Sequence, residues 1–171
     1  MTADLTKGVA CWLTMVAAAT FAAPHDASAQ LAKSGTYSGV FGFYEQPWTA
    51  VPIDKERLII SSMPQGPFIN DQGSGFLHLA SVVCVGQGIV EQGKFAFNGH
   101  CTATDKDGDK AALAWRCAES GGRCVGTFDW VGGTGKYTGI KGHSQFHGGG
   151  IGQGAPGPIG YAVWKGEWQL P

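Results

Sequence analysis

Gly132-Gly133-Thr134-Gly135-Lys136-Tyr137-Thr138-Gly139-Ile140-Lys141-Gly142 holds five glycines in eleven residues. Strand-like residues flank it: Thr127, Phe128, Trp130 and Val131 before, and Ser144, Gln145 and Phe146 after. Glycine lacks a Cβ and is free in φ, so such a stretch marks a tight turn or a close backbone approach. Between β segments it marks a bulge or a barrel corner. Gly132, Gly133, Gly135, Gly139 and Gly142 are therefore read as a structural turn, with φ > 0 at one or more of the first three.

Two phosphate-binding readings fail on spacing. A phosphate loop ending at Gly135-Lys136 needs glycine five residues before Gly135 and Ser or Thr after the lysine. Those positions hold Trp130 and Tyr137. Gly150-x-Gly152-x-x-Ala155 loosely matches a dinucleotide fingerprint, but Pro156 and Pro158 preclude the helix that must follow.

Outward from the turn, the chain is a series of short alternating segments. Strands are expected at residues 36–45, 55–63, 76–85, 93–105, 110–119, 123–131, 136–147 and 159–170, with residues 64–75 as a loop. The first puts Tyr37, Gly39, Phe41 and Phe43 on one face. The best helix candidate, residues 110–117, alternates as well, with Ala111, Leu113, Trp115 and Cys117 on one side. Short strands at regular intervals indicate a sandwich or a barrel, and eight strands can close and leave no edge. The pattern by itself favours the barrel over the sandwich only slightly. The Asp105-Lys106-Asp107-Gly108-Asp109 segment places glycine fourth and Arg116 twelfth, which does not fit a calcium loop; it reads as a hairpin turn.

The N-terminal 29 residues read as a signal peptide. Lys7 precedes an apolar run over residues 8–23, and Ala27-Ser28-Ala29 supplies a cleavage site before Gln30. The run falls short of the roughly 20 residues of a membrane-spanning helix, so no membrane span is expected. Residues 30–171 are expected to form a single domain. They carry 11 basic and 11 acidic residues, which gives no electrostatic reason to expect nucleic acid. The expected location is secreted or periplasmic.

The central stretch resembles a known family. Gly132-Gly133-Thr134-Gly135-Lys136-Tyr137 with Gly142 is similar to the G-G-[TS]-G-x-[FY]-x-x-x-x-G turn of the allene oxide cyclase and dirigent barrels. The last segment, ending Leu170-Pro171, is similar to the end of plant allene oxide cyclases. Secreted bacterial proteins carry the turn too. The resemblance implies an all-β, eight-stranded antiparallel closed barrel of calycin-like form with an apolar cavity, and a homotrimer. It also implies a functional glutamate in a Tyr-Glu pair near the first strand, carried over to Tyr44 and Glu45. Gln46-Pro47-Trp48 then departs from the family's pattern.

Four cysteines follow the signal segment: Cys84, Cys101, Cys117 and Cys124. Export permits disulfides. A hairpin turning through Ser120-Gly121 sets Cys117 opposite Cys124, and Cys84 and Cys101 pair by elimination. No spacing suits zinc, and neither a metal nor a cofactor is expected.

Aromatic residues recur on consistent strand faces: Phe95 with Phe97, Leu113 with Trp115, Phe128 with Trp130, and Trp164 with Trp168. A barrel of eight strands either fills with such side chains or holds one small ligand among them. The expected lining is Tyr44, His78, Phe95, Phe97, Trp115, Phe128, Trp130 and Trp164, with Glu45 as the catalytic candidate. Asp129 falls on the outward parity. His143 and His147 stand about 13 Å apart along one strand, too far to share a metal. Residues 148–160 read as a glycine-rich connection, either a cover over a barrel mouth or a plain flexible loop. Three functions follow: binding a small hydrophobic ligand, cyclisation or isomerisation by confinement, or a structural role with a filled barrel.

Overall fold

The computed structural model describes residues 31–46, 49–155 and 157–171; the expected signal peptide lies outside them. Its strands are β1 (Ser34–Glu45), β2 (Thr49–Pro52), β3 (Arg57–Ser62), β4 (Pro64–Asn70), β5 (Ala80–Glu91), β6 (Lys94–Thr104), β7 (Lys110–Ser120), β8 (Arg123–Gly133), β9 (His143–Gly154) and β10 (Gly157–Gln169). All pairings are antiparallel. The ladder runs β2-β3-β5-β4-β1-β10-β9-β8-β7-β6, and β5–β6 pairing closes it.

Eight staves make the barrel. The register that sets Gln65 opposite Val83 continues into Ser62 opposite Gly86, so β3 and β4 form one stave broken at Met63. Along its other edge run β4–β1 pairs up to Glu45 opposite Pro64, then β2–β3 pairs from Thr49 opposite Ser61, a shift of one residue. β1 and β2 are therefore one bulged stave. The expected loop at residues 64–75 is in its first half the strand β4. Its prolines, Pro64 and Pro67, sit at the strand's start and at a position outside the β1–β4 pairs, where a missing N–H is tolerated.

Alternation sorts the faces. Along β5, Ala80, Val82 and Cys84 are buried while Ser81, Val83 and Val85 are exposed. The third expected strand starts at Ala80 rather than at residue 76. Residues 71–79 instead form a turn that folds Phe76 and Leu77 into the barrel's end, with Leu77 and Leu79 at φ of 52° and 60°. Asn70 holds that turn, donating from Nδ2 to the Phe76 carbonyl at 3.0 Å and accepting the Gln72 amide at 2.9 Å.

The glycine stretch connects β8 to β9. Val131 is left over between Trp130, opposite Leu113, and Gly132, opposite Ala112, so the ladder bulges just before the turn. A 3₁₀ turn, Gly135–Tyr137, follows, and β9 begins at His143 rather than at residue 136. Gly135 sits at φ 52°, the left-handed region that disfavours a side chain. A Cβ on Gly133 would lie 2.5 Å from the Tyr137 carbonyl oxygen and 2.6 Å from that of Lys110.

Lys136 is not simply solvated. Its ammonium pairs with Asp105 at 2.7 Å and with Asp107, both from the β6–β7 turn. Asp105 also accepts the Tyr137 hydroxyl at 3.1 Å and the Asp107 and Asp109 amides at 2.9 and 3.1 Å. Burial opposes ionisation of Asp105, but the bonds from Lys136, the Asp107 amide and Tyr137 outweigh it and hold its pKa below the ordinary value. Burial and the charge of Asp105 push the Tyr137 phenol far above its usual range. An aspartate-rich turn thus clamps the glycine corner onto the neighbouring hairpin.

Both disulfides are present. Cys84 and Cys101 are direct cross-strand partners. Cys117 and Cys124 are bonded with Cα atoms 5.5 Å apart, although they are not directly opposite. The β7–β8 hairpin turns through Gly121-Gly122, at φ 60° and 77°, and not through Ser120-Gly121. Two positive φ values make the turn type whose twist matches the strands. Cys117 therefore faces Gly126 and Cys124 faces Glu119, and the bridge runs diagonally.

Candidate functional site

The interior divides along the barrel axis. At the end closed by residues 71–79 and the 3₁₀ turn, aromatic rings fill it. Phe76 stacks on Trp168 with centroids 4.7 Å apart and meets Trp130 edge-on at 5.6 Å. Among them lies a buried polar pair, Tyr37 Oη and Ser144 Oγ, hydrogen-bonded at 2.7 Å. Burial drives the Tyr37 phenol far above its ordinary range, so it stays protonated.

Above this layer Trp164 forms a floor. It stacks on Phe68 at 5.0 Å and touches Phe128 and Phe41 at 5.0 and 5.4 Å. Beyond the floor the barrel holds a cavity of about 530 Å³, within the range of small-molecule sites. Phe41, Phe43, Ile60, Phe95, Phe97 and Trp115 are among the residues that line it. The Cys84–Cys101 bridge lies in the wall as well.

Glycines on the inner face let the large rings lie flat across neighbouring strands. A Cβ on Gly99 would meet Trp115 at 2.9 Å, and one on Gly88 would meet the Phe97 ring at 2.5 Å. The same Cβ atoms would also clash with neighbouring backbone, the Val85 carbonyl oxygen for Gly99 and the Ala96 carbonyl oxygen for Gly88, so strand and ring would both have to shift.

Polar groups are few and sit toward the mouth. Glu45 accepts the Ser62 hydroxyl at 3.0 Å, and Gln153 and Tyr161 complete the set. The β9–β10 hairpin contributes Gly149, Gly150 and Gly152 to the rim. The expected connection over residues 148–160 is thus mainly paired strand: β9 runs to Gly154 and β10 starts at Gly157. Its pairing carries a bulge at Ile159/Gly160.

Of the residues expected to line a site, Glu45, Phe95, Phe97, Trp115, Phe128 and Trp164 border the cavity. Three stand elsewhere. Tyr44 follows Phe43 on β1 and takes the opposite face of the barrel wall. His78 lies in the turn before β5 rather than on a strand. Trp130 faces inward but is buried in the filled layer. Ser62, Phe146 and Tyr161 border the cavity without having been expected. For Ser62 the signal was its shared parity with Ile60; for Phe146 it was the alternation around Ser144.

On the outer wall Asp129 is exposed, as its parity predicted, and pairs with His143 Nδ1 at 2.7 Å. His147 shares the outward face of β9 with His143. Among the described residues no group of three or more His, Cys, Asp or Glu is placed to hold a metal, and no helix is long and apolar enough to cross a membrane.

Solved structures similar to this chain include the pterocarpan synthase dirigent proteins GePTS1 and PsPTS1. Each shares 14% identity at a TM-score of 0.47. The alignments cover 82% of this chain, with 88% of GePTS1 and 97% of PsPTS1. No protein-family pattern and no curated protein matches it. The eight-stranded barrel rests on the closed ladder itself, and residue roles do not transfer at this identity.

Proposed function

We propose that the protein binds a small hydrophobic molecule inside the barrel. One observation carries the reading: an apolar cavity of about 530 Å³ above a stacked aromatic floor. A filled barrel, the structural alternative, would leave no such space. Native mass spectrometry of protein from its own host tests the proposal by looking for a retained ligand. Val90→Trp complements it, because Val90 borders the cavity on the inward parity of β5, near the mouth. A tryptophan there fills the mouth and abolishes retention. Equal retention by the variant refutes the reading.

A second reading, a cyclase or isomerase acting by confinement, is favoured by Glu45 at the cavity wall. An acid inside an otherwise apolar site is the group such chemistry would use. It predicts that Glu45→Gln loses turnover while ligand is still retained.

Export to the periplasm or outside the cell belongs to the same proposal. Its supports are the N-terminal segment and two disulfides, which fit an oxidising compartment. N-terminal sequencing of host-derived protein is expected to begin at Gln30; a chain still starting at Met1 refutes it. Assembly as a homotrimer is proposed from the resemblance of the turn. An outward apolar row, Val51, Ile59, Ile89 and Val125, is consistent with self-association.

A further inference from the structure

We propose that the cavity selects hydrophobic amines, molecules with an apolar body and a cationic end, over neutral and anionic analogues of the same shape. The inference rests on the ligand-binding reading above and adds the chemical class of the ligand.

Three observations carry it. First, among the described residues that border the cavity none is Lys, Arg or His, and the single ionisable acid is Glu45. The nearby basic residues are excluded by alternation. Lys94 precedes the lining residue Phe95, and Arg123 precedes Cys124, so both side chains leave through the outer face. Arg57, on the outward parity of β3, is held by Asp54 at 2.6 Å. A bound carboxylate would thus meet a like charge and no counter-charge in a low-dielectric space.

Second, the walls are aromatic. Phe43, Phe95, Phe97 and Trp115 present ring faces or edges toward the space above the floor. A cation is attracted to the face of an aromatic ring, most strongly where water is excluded. A neutral ligand gains apolar contact from the same rings but not this electrostatic part.

Third, the acid is at the right depth. Along β1 the inward side chains run Phe41, Phe43, Glu45, and β1 ends at Glu45, opposite Pro64. Phe41 touches the floor tryptophan, so Glu45 stands at the rim. An apolar body seated on Trp164 would direct its polar end outward to this carboxylate. An ammonium there gains a charge-assisted hydrogen bond while keeping part of its hydration.

Calorimetric titration of the full chain with three probes sharing one apolar body tests the proposal. The probes are naphthylethylamine, naphthylethanol and naphthylacetic acid, at neutral pH. The amine is expected to bind about tenfold more tightly than the alcohol, and the acid about tenfold more weakly. In Glu45→Gln the amine's advantage over the alcohol disappears, and it is this ratio rather than either absolute affinity that is read. Acid binding equal to or tighter than amine overturns the proposal, and so does a ranking that survives Glu45→Gln. Equal affinity for all three leaves the cavity a binding site and overturns the amine preference alone. No binding of any probe overturns the underlying ligand-binding reading as well. The ranking in the unmodified chain decides the matter even if the variant fails to fold.

Discussion

Adding one methyl group at Gly133 is expected to destabilise the protein by about 2–4 kcal/mol. The built Cβ would lie 2.5 Å from the Tyr137 carbonyl oxygen, 2.6 Å from the Lys110 carbonyl oxygen and 2.7 Å from Tyr137 Cβ. Two of these atoms are backbone, so no rotamer change relieves the clash. The 3₁₀ turn and β7 must separate. Overpacking of a closed space costs about 1–3 kcal/mol. The separation also strains two bonds that join the same segments: the Thr134 amide to the Lys110 carbonyl at 2.8 Å, and the Lys110 amide to Thr134 Oγ1 at 3.0 Å. Each is worth about 1 kcal/mol. For a domain of this size a loss of 1 kcal/mol lowers Tm by about 2–4 °C, so Gly133→Ala should melt roughly 4–16 °C lower. Gly42→Ala is the matched control, because nothing lies within 4 Å of its built Cβ, and its melt should be unchanged. Thermal unfolding followed by circular dichroism gives both values. If Gly133→Ala melts with Gly42→Ala, the glycine corner is not the tight backbone approach described here.

Three further outcomes are expected. Lys136→Ala removes the cation beside Asp105, whose side chain is 7% exposed, and should cost about 1–2 kcal/mol, between exposed and buried ion pairs. Asp105 has a folded pKa below its unfolded value of 3.8, so its stabilisation is full above that value and is lost as pH falls through the folded pKa. The wild type should therefore lose stability between neutral pH and pH ~2 more steeply than Lys136→Ala, as chemical denaturation at several pH values would show; parallel profiles would refute the clamp. Replacing Cys84 and Cys101 together by alanine opens a 17-residue loop and should cost about 3 kcal/mol, read as a lower denaturant midpoint. Tyr37→Phe leaves Ser144, 1% exposed, without its 2.7 Å partner, and should cost about 1–3 kcal/mol in the same assay; an unchanged midpoint would mean that the pair contributes nothing.

Much of the fold was legible because strand chemistry is local. Side chains alternate with a period of two, so the inward parity of Phe95, Phe97, Trp115, Phe128 and Trp164 could be read without knowing what they face. The glycine corner could be read because few residues tolerate φ near 50° or carbonyls at contact distance. The cysteine pairing needed only the order of neighbouring strands. It survived a register error, because a bridge with Cα atoms 5.5 Å apart forms across a diagonal as well as between facing residues.

Other features depended on partners distant in the chain. Residues 64–70 look like a loop in isolation, with two prolines and a glycine. They form a strand because β1 and β5 supply its hydrogen bonds on both sides. Lys136 looks solvated until the β6–β7 turn brings Asp105 and Asp107 to it. The division between filled layer and cavity was likewise invisible. Trp130 and Trp164 share the same inward parity, yet one is packed against Phe76 and the other is the floor of an open space. Parity is a property of a single strand and is written in its sequence. Depth along the barrel axis follows from the stagger with which eight strands close on one another, and that stagger exists only once every strand has found its neighbours.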